Sequence, residues 1–463
     1  MNILKKMLLP RPFISFLYFA AVMFFFTSTL TAVNIETLVT KIIERNYNLK
    51  QVNSISQQAS QENKLARSQF YPKASLEMSL VRSDDPVFAF GSYLRQGRFS
   101  QNNFNIDKLN RPGSVDDFTA AISVGVPIYT AGKLALGVKT SQTHLAQAGQ
   151  HEMLLKSKLI MQVLERYFSA LKDKAVIAAA ADAEKFAQSE INDASNLTSQ
   201  GMAPGAEYYA ASAVARGISA KRIEAEAGYE TAVSALAIMA GENKNYFTAD
   251  SKMPEKEYSV EHLETLIDKA LKMRNDINIA RLQKTALKDA HAVEKKSILP
   301  SVQAFGKIQT DSYDTKYMPE HYTVGVQLSM PFFDPSHGFK TNMIEEQYRQ
   351  ANTNLSSTEE QVTIEVTNAY TNYKAAVKAL AVIKDSRNQA QKSVRMMRTL
   401  YRQGRVSVID MLRAEDQLLA AQTAFFTTAY NMNTAYASLM AVSGQLSFET
   451  VQTINDLTQE VCK

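Results

Sequence analysis

KLALGVKTSQTHLAQAGQHEMLLKSKLIMQVLERYFSALKDKAVIAAAADAEKFAQSEINDASNLTSQ, residues 133–200, runs for 68 residues without a proline. It breaks at Gly201-Met202-Ala203-Pro204-Gly205, and a second proline-free run then leads to Gly241. Such a pattern predicts a very long helical hairpin. The plan returns later in the chain. Pro331 precedes a helix-like run to Gln403, Gly404 marks the break, and Gly444 ends the return limb. From Gly201 to Gly241 is 40 residues, and from Gly404 to Gly444 is again 40. At roughly 1.5 Å per helical residue each first limb would span on the order of 100 Å, far beyond the needs of a compact globular domain. Met161, Leu164, Phe168 and Leu171 in the first hairpin, and Val362, Val366, Tyr370, Tyr373, Val377 and Leu380 in the second, have the spacing of a coiled-coil seam. Small residues on the return limb, Ala206, Ala210, Ala213, Gly217 and Ala220, are expected to let helices approach closely.

Ahead of each hairpin the period changes. Residues 34–70 have helical spacing of apolar residues and end at Tyr71-Pro72. Strict alternation follows at Ala74, Leu76, Met78 and Leu80, against Ser75, Glu77 and Ser79. Residues 83–116 read as a loop, after which Phe118, Ala120, Ile122, Val124, Val126 and Ile128 alternate with Thr119, Ser123 and Gly125. These are two strands. A polar linker spans 242–260, and Leu263-Glu264-Thr265-Leu266-Ile267 then matches Ile35-Glu36-Thr37-Leu38-Val39 at an offset of 228, as Pro300 matches Pro72. Two further alternating strands follow, Val302 to Ile308 and Tyr322 to Phe332. Beyond them the offset falls to 204, so the duplication is consistent and the first repeat's loop holds an insertion of 24 residues. The chain thus divides into a leader (1–32), a first repeat (33–241), the linker, a second repeat (261–444) and a polar, short or loose tail (445–463).

Mean hydropathy is low, which excludes a bundle of membrane-spanning helices. Residues 1–32 are the exception. Lys5, Lys6 and Arg11 precede an apolar run and a small-residue region at Thr31-Ala32, the layout of a secretory signal peptide, with an uncleaved anchor as the alternative. Its removal takes the formal charge from +5 to +2, which suggests no nucleic-acid partner. The single cysteine, Cys462, excludes an intrachain disulfide and a cysteine metal cluster. Enzyme signatures fail. Leu134 stands where a phosphate loop needs Ser or Thr, and Leu155 where a zinc-protease helix needs its second histidine. His144 and His151 share a helical face but read as solvated surface; no metal or other cofactor is expected.

Four strands of about ten residues have the length of an outer-membrane barrel wall, but four cannot close one, so several copies must pool their strands. The alternative is a soluble sandwich that buries the apolar face in its own core. Tyr71, Tyr129, Tyr322, Phe332 and Phe333 suit a membrane-interface belt, or equally a domain core.

The order of elements and the twofold repeat resemble the TolC family of outer-membrane efflux proteins over nearly the whole of residues 34–444. So do the strand-to-helix passages Val126-Pro127-Ile128-Tyr129-Thr130-Ala131-Gly132 and Met330-Pro331-Phe332-Phe333-Asp334, and the turn Tyr401-Arg402-Gln403-Gly404-Arg405-Val406-Ser407-Val408-Ile409-Asp410. The resemblance implies an α+β membrane protein, a homotrimer pooling four strands per chain into an outer-membrane β-barrel. Its long hairpins would form a periplasmic tunnel, with a periplasmic adaptor protein and an inner-membrane transporter at their tips. It also implies a gate. The first of the family's two gating aspartates matches Asp410, but Arg413 occupies the second position, so a purely anionic ring is not expected. That spacing also suits an ordinary same-helix ion pair. Glu207 is the first repeat's counterpart of Asp410, and Tyr401 matches a tyrosine that holds the gate closed. Gly201, Met202, Ala203, Pro204 and Gly205, with Gly404, Arg405, Val406, Ser407 and Val408, are the implied docking tips, or simply helix-breaking turns. The rival reading is a secreted coiled-coil adaptor or scaffold without a channel.

Overall fold

The computed structural model describes residues 35–200, 204–243, 252–314 and 317–460. The expected leader and the tip residues Gly201, Met202 and Ala203 lie outside them. In chain order the elements are α1 (Ile35–Arg45), α2 (Tyr47–Ser68), β1 (Lys73–Ser83), α3 (Pro86–Arg95), a 3-10 turn (Gln101–Phe104), α4 (Ile106–Asn110) and β2 (Val115–Tyr129). The first hairpin follows as α5 (Lys133–Ser199) and α6 (Gly205–Ala240). Then come α7 (Leu263–Met273), α8 (Asn275–Lys295), β3 (Ser301–Ser312), β4 (Glu320–Ser329), α9 (Ser336–Arg402), α10 (Val408–Val442) and α11 (Phe448–Glu460). The duplication is plain in the lengths: α5 and α9 have 67 residues each, and α6 and α10 have 36 and 35.

The chain forms two compact units, each drawing on both repeats. One holds residues 47–156 and 263–366 and contains the sheet. The strands pair in sequence order, β1-β2-β3-β4, all antiparallel. The register aligns Leu76 with Ile122, Ile122 with Ile308 and Ile308 with Tyr322, so side chains of one kind share a face across all four strands. Leu76, Met78 and Leu80 lie on that face with Ile122, Val124, Ile308, Tyr322, Val324, Val326 and Leu328, and every one of these is exposed. The other face carries Ser75, Glu77, Thr119, Ser123, Gln303, Lys307, Gln309, Asp311, His321 and Thr323. Tyr71, Tyr129, Phe332 and Phe333 are exposed at one end of the sheet, where the chain enters β1 and leaves β2 and β4, and are not domain core.

The second unit holds residues 1–46, 157–262 and 367–463. Here the seam residues Leu164, Phe168, Leu171, Tyr373 and Leu380 are buried. Ile35, Leu38, Val39 and Ile42 give α1 one fully buried stripe at helical spacing. Three helix ends are closed by left-handed glycines. Gly241, Gly404 and Gly444 have φ of 69°, 67° and 75°. In each case the next amide reaches back to a carbonyl in the last turn, Glu242 to Ala237, Arg405 to Leu400 and Gln445 to Met440.

Several expectations are corrected. Residues 34–70 form two helices, interrupted at Asn46, and α1 and α2 belong to different units. The loop 83–116 contains α3, a 3-10 turn and α4, because Asp85 caps α3 by accepting the Phe88 amide and Pro86 sits in its first turn, where no amide partner is needed. The tail contains α11, whose Val451 and Ile454, three residues apart, are fully buried within a mostly polar sequence. The described part of the linker is anchored. The Tyr373 hydroxyl accepts the Tyr258 amide at 2.8 Å and donates to its carbonyl at 2.7 Å. The Tyr258 hydroxyl in turn donates to Asn433 at 2.5 Å, and its ring stacks on Tyr436 at 3.9 Å. Ala206, Ala210, Ala213, Gly217 and Ala220 are exposed. The small residues that bring α6 close to its neighbours are Ala211, Ala215 and Ala225, one helical step away from that stripe.

The caps make a shared prediction. Gly404→Ala meets only the left-handed backbone, with no atom within 4 Å of the new Cβ, and should cost about 1 kcal/mol. Gly241→Ala would also meet the Arg45 guanidinium, the far end of an exposed and flexible side chain that can swing aside. Urea unfolding should therefore show a loss of about 1 kcal/mol at each, set by the left-handed backbone.

Candidate functional site at the hairpin ends

The hairpin ends lie wholly within the second unit. Ala180, Ala183, Ala187, Ile191 and Ala194 of α5 repeat every three or four residues and pack with Ala211, Ala215 and Ile218 of α6 and Val408, Leu412 and Leu419 of α10. Phe186 and Tyr401 extend this core toward Val394 of α9 and Met411 and Ala414 of α10. Alanine at the contact positions keeps the interaxial distance short, so dispersion contacts accumulate despite small side chains.

Charged pairs across the helices complete the packing. Arg398 of α9 grips Glu415 of α10 through Nε at 2.6 Å and Nη2 at 2.5 Å, and its guanidinium lies 4.4 Å from the Phe186 ring centroid. The Glu415 side chain is only 3% exposed. Burial pushes its carboxyl pKa up, Arg398 opposes that shift and Glu190 adds to it. Lys221 of α6 meets Asp416 at 2.6 Å, and Arg222 meets Glu184 of α5 at 2.7 Å. A cavity of about 530 Å³ opens between α5, α9 and α10, lined by Phe186, Ser189, Arg398, Glu415 and Gln422 among others.

The expected gate residues occupy two environments. Asp410 is exposed in the first turn of α10, where the Ser407 hydroxyl accepts the Asp410 amide at 3.2 Å and donates to its carboxylate at 2.8 Å. This reciprocal cap also sets a negative charge against the positive end of the helix. Among the described residues no ion pair joins Asp410 to Arg413, which is exposed. Glu207 has the corresponding position in the first turn of α6, its amide bonded to the Pro204 carbonyl. Tyr401, near the end of α9, is half-buried, and its hydroxyl lies within electrostatic range of Glu190 of α5. Burial first, then Glu190, Asp193 and Glu207, push the phenol up to about 12. Tyr401 and Glu207 are therefore close enough to interact. Pro204, Gly205 and Gly404 to Val408 are described, and Gly404 and Arg405 form the glycine cap of α9.

Sequence reasoning missed Glu190, Asp193, Arg398 and Glu415. The Ser407-x-x-Asp410 cap was readable, being a Ser followed three residues later by an acid. The pairing of Arg398 with Glu415, 17 residues apart around a turn, has no local signal. Among the described residues no group of three His, Cys, Asp or Glu side chains could hold a metal ion, and no helix is long and apolar enough to cross a membrane.

Two exceptionally long helical hairpins and a four-stranded, two-faced sheet define the class. A family model described as outer membrane efflux protein matches residues 38–242 and 266–445. The chain belongs to that family, the TolC family that its sequence resembles. It is thereby an outer-membrane protein that extends into the periplasm of a Gram-negative bacterium, of a family whose members are channels and not enzymes. Solved structures agree in fold. A membrane protein from Pseudomonas aeruginosa has a TM-score of 0.76 at 14% identity, over 89% of this chain and 93% of that one. The Campylobacter jejuni CmeC outer membrane channel has 0.75 at 16%, over 94% and 92%. The outer membrane protein VceC from Vibrio cholerae has 0.73 at 16%, over 89% and 96%. No curated protein matches the sequence.

The phenol of Tyr401 gives a pH signature. An unfolded tyrosine ionises near 10, and Tyr401 in the fold near 12, so its contribution to stability is complete below pH 10 and is lost as pH rises toward 12. Tyr401→Phe should flatten the decline in stability across that window, read by urea unfolding at a series of alkaline pH values.

Proposed function

We propose that three copies of this chain pool their sheets into a closed twelve-stranded barrel in the outer membrane. Their hairpins would form the periplasmic passage of an exit duct for efflux or secretion. One observation carries the reading: a sheet whose outer strands have no further neighbour among the described residues, with exposed apolar side chains on one face and mostly polar ones on the other. Leaving ten large apolar side chains in water would forfeit on the order of 15 kcal/mol, at about 1.5 kcal/mol each, as much as the entire stability of an ordinary domain. A soluble scaffold has no means of recovering that. Lipid does, and closure through β1 of one copy and β4 of the next removes the open edges that hydrocarbon does not tolerate. Exposed Tyr71, Tyr129, Phe332 and Phe333 at one end of the sheet suit the aromatic girdle of such a barrel.

The hairpin ends then serve as gate and docking site. Threefold symmetry would turn Asp410, Arg413 and Glu207 into rings of three, and the approach of Tyr401 to Glu190 would tie α9 to α5 in the closed state. A periplasmic adaptor, docking at residues 201–205 and 404–408, would break that tie, and an inner-membrane transporter would supply the energy. The chain acts as a passive duct, with outer-membrane lipid around the barrel and no cofactor.

Purified protein in a planar lipid bilayer, with its mass determined in the same detergent, should give discrete conductance from a trimer. A refolded monomer that never inserts would overturn the channel. Joint replacement of Tyr401 and Asp410 by alanine should raise the closed-state conductance severalfold, and an unchanged value would place the gate elsewhere.

A further inference from the structure

The insertion in the first repeat is not a free loop. Its helix α3 lies across the polar face of the sheet, bonded to three strands. Ser92 donates to Asp117 of β2 at 2.9 Å, and Arg95 bridges Asp117 at 3.1 Å and Asp311 of β3 at 3.2 Å. Gln96 donates to Asp117 at 2.9 Å, and the imidazole of His321 in β4 donates to the Arg95 carbonyl at 2.9 Å. The two carboxylates are 3% and 1% exposed, so Arg95 is the cation that two buried anions require. Thr119 and Gln309 complete the coordination of Asp311. All these strand residues lie on the polar face, at the end of the sheet opposite Tyr71, Tyr129 and Phe332.

The side of α3 turned away from the sheet is apolar. Val87 and Leu94, seven residues and two turns apart, are 81% and 50% exposed, with Phe90 beside them. A helix whose polar side is anchored to the wall and whose apolar side faces open space has an unusual address for a protein surface. In the proposed barrel the polar face is the inner one, and this end of the sheet is the outer mouth. Phe99 of the same insertion already packs edge-on against Phe90, at 5.0 Å between ring centroids, and the surfaces that would meet Val87 and Leu94 there are the α3 helices of the two other copies.

We propose that three copies of α3 form a second constriction of the duct, an apolar collar at its outer mouth, with Val87, Phe90 and Leu94 as its surface and Arg95 as its positioning residue. The inference rests on the trimeric reading above. Twelve strands about 4.8 Å apart, tilted by about 40°, enclose a backbone diameter of roughly 24 Å. A helix with its side chains is about 10 Å across, so three of them on the inner wall leave only a narrow path, and an apolar one resists wetting and the passage of ions. Among the described residues the second repeat has no equivalent helix, and only seven residues, 313–319, separate its strands. The collar therefore has threefold and not sixfold symmetry.

Cysteine cross-linking of the purified full-length protein tests it, in a Cys462→Ser background. Leu94→Cys and Val87→Cys should each give dimers joined between copies with a short bismaleimide, whereas Leu76→Cys on the lipid-facing side should not. Arg95→Ala should lower the Leu94→Cys cross-linking yield severalfold and Arg95→Lys should restore most of it, which a general loss of folding would not do. In bilayers, Val87→Ser with Leu94→Ser should at least double the conductance measured in the Tyr401→Ala, Asp410→Ala background. Both positions are exposed, so this variant keeps the test valid even where Arg95→Ala fails to fold. Conducting trimers without cross-links between the α3 helices would overturn the collar and leave the duct standing. Absence of trimers and of conductance would overturn both.

Discussion

The outer sides of β1 and β4 have no neighbouring strand among the described residues, and their apolar face is bare. Each unpaired amide or carbonyl would cost several kcal/mol in hydrocarbon, and each exposed apolar side chain costs in water. A single chain can satisfy neither solvent. Closure with further copies satisfies both demands together, because it pairs the edges and turns the apolar face to lipid in one step. On the proposed reading, the oligomer would be a condition of the sheet's existence in a membrane.

The protein's polar chemistry is also divided by location. Inside the sheet, Asp117 and Asp311 are buried and share Arg95, and the cost of desolvating them is offset only while α3 stays in place. At the hairpin ends alanines of α5, α6 and α10 bring the backbones together, and two kinds of charge pair tie one helix to another around that contact. Glu415 is as buried as Asp117 and is likewise held by a single arginine, Arg398, so breaking that pair carries the same kind of cost. Lys221 and Asp416 are each more than a third exposed, and water can replace that pair at little cost.

The roles of Asp410 and Tyr401 separate on the same grounds. Asp410 caps its own helix through Ser407, so its removal weakens the first turn of α10 as well as any ring of charge. Tyr401 reaches a different helix, α5, and brings Glu190, Asp193 and Glu207 within electrostatic range. Of the two, Tyr401 is the residue whose surroundings depend on how α9 and α5 are disposed.

The hairpins, the four strands and the duplication were legible in the sequence because each is written as a period. Leu76, Ile122 and Tyr322 alternate with polar neighbours, Leu164 and Phe168 recur at helical spacing, and Gly241, Gly404 and Gly444 stand where a left-handed residue must end a helix. Local backbone physics suffices for such features. Residues 83–116 and 445–463 read as loop and tail because, among the described residues, α3 buries one apolar side chain, Ala89, and α11 two, Val451 and Ile454, too few to establish a period. The anchoring of Tyr258 by Tyr373 and Asn433, the grip of Arg398 on Glu415 and the bridge from Arg95 to Asp117 and Asp311 join residues 17 to 216 positions apart. Only the tertiary structure decides them, because a charge or a hydroxyl finds its partner by distance in space, which no local spacing encodes.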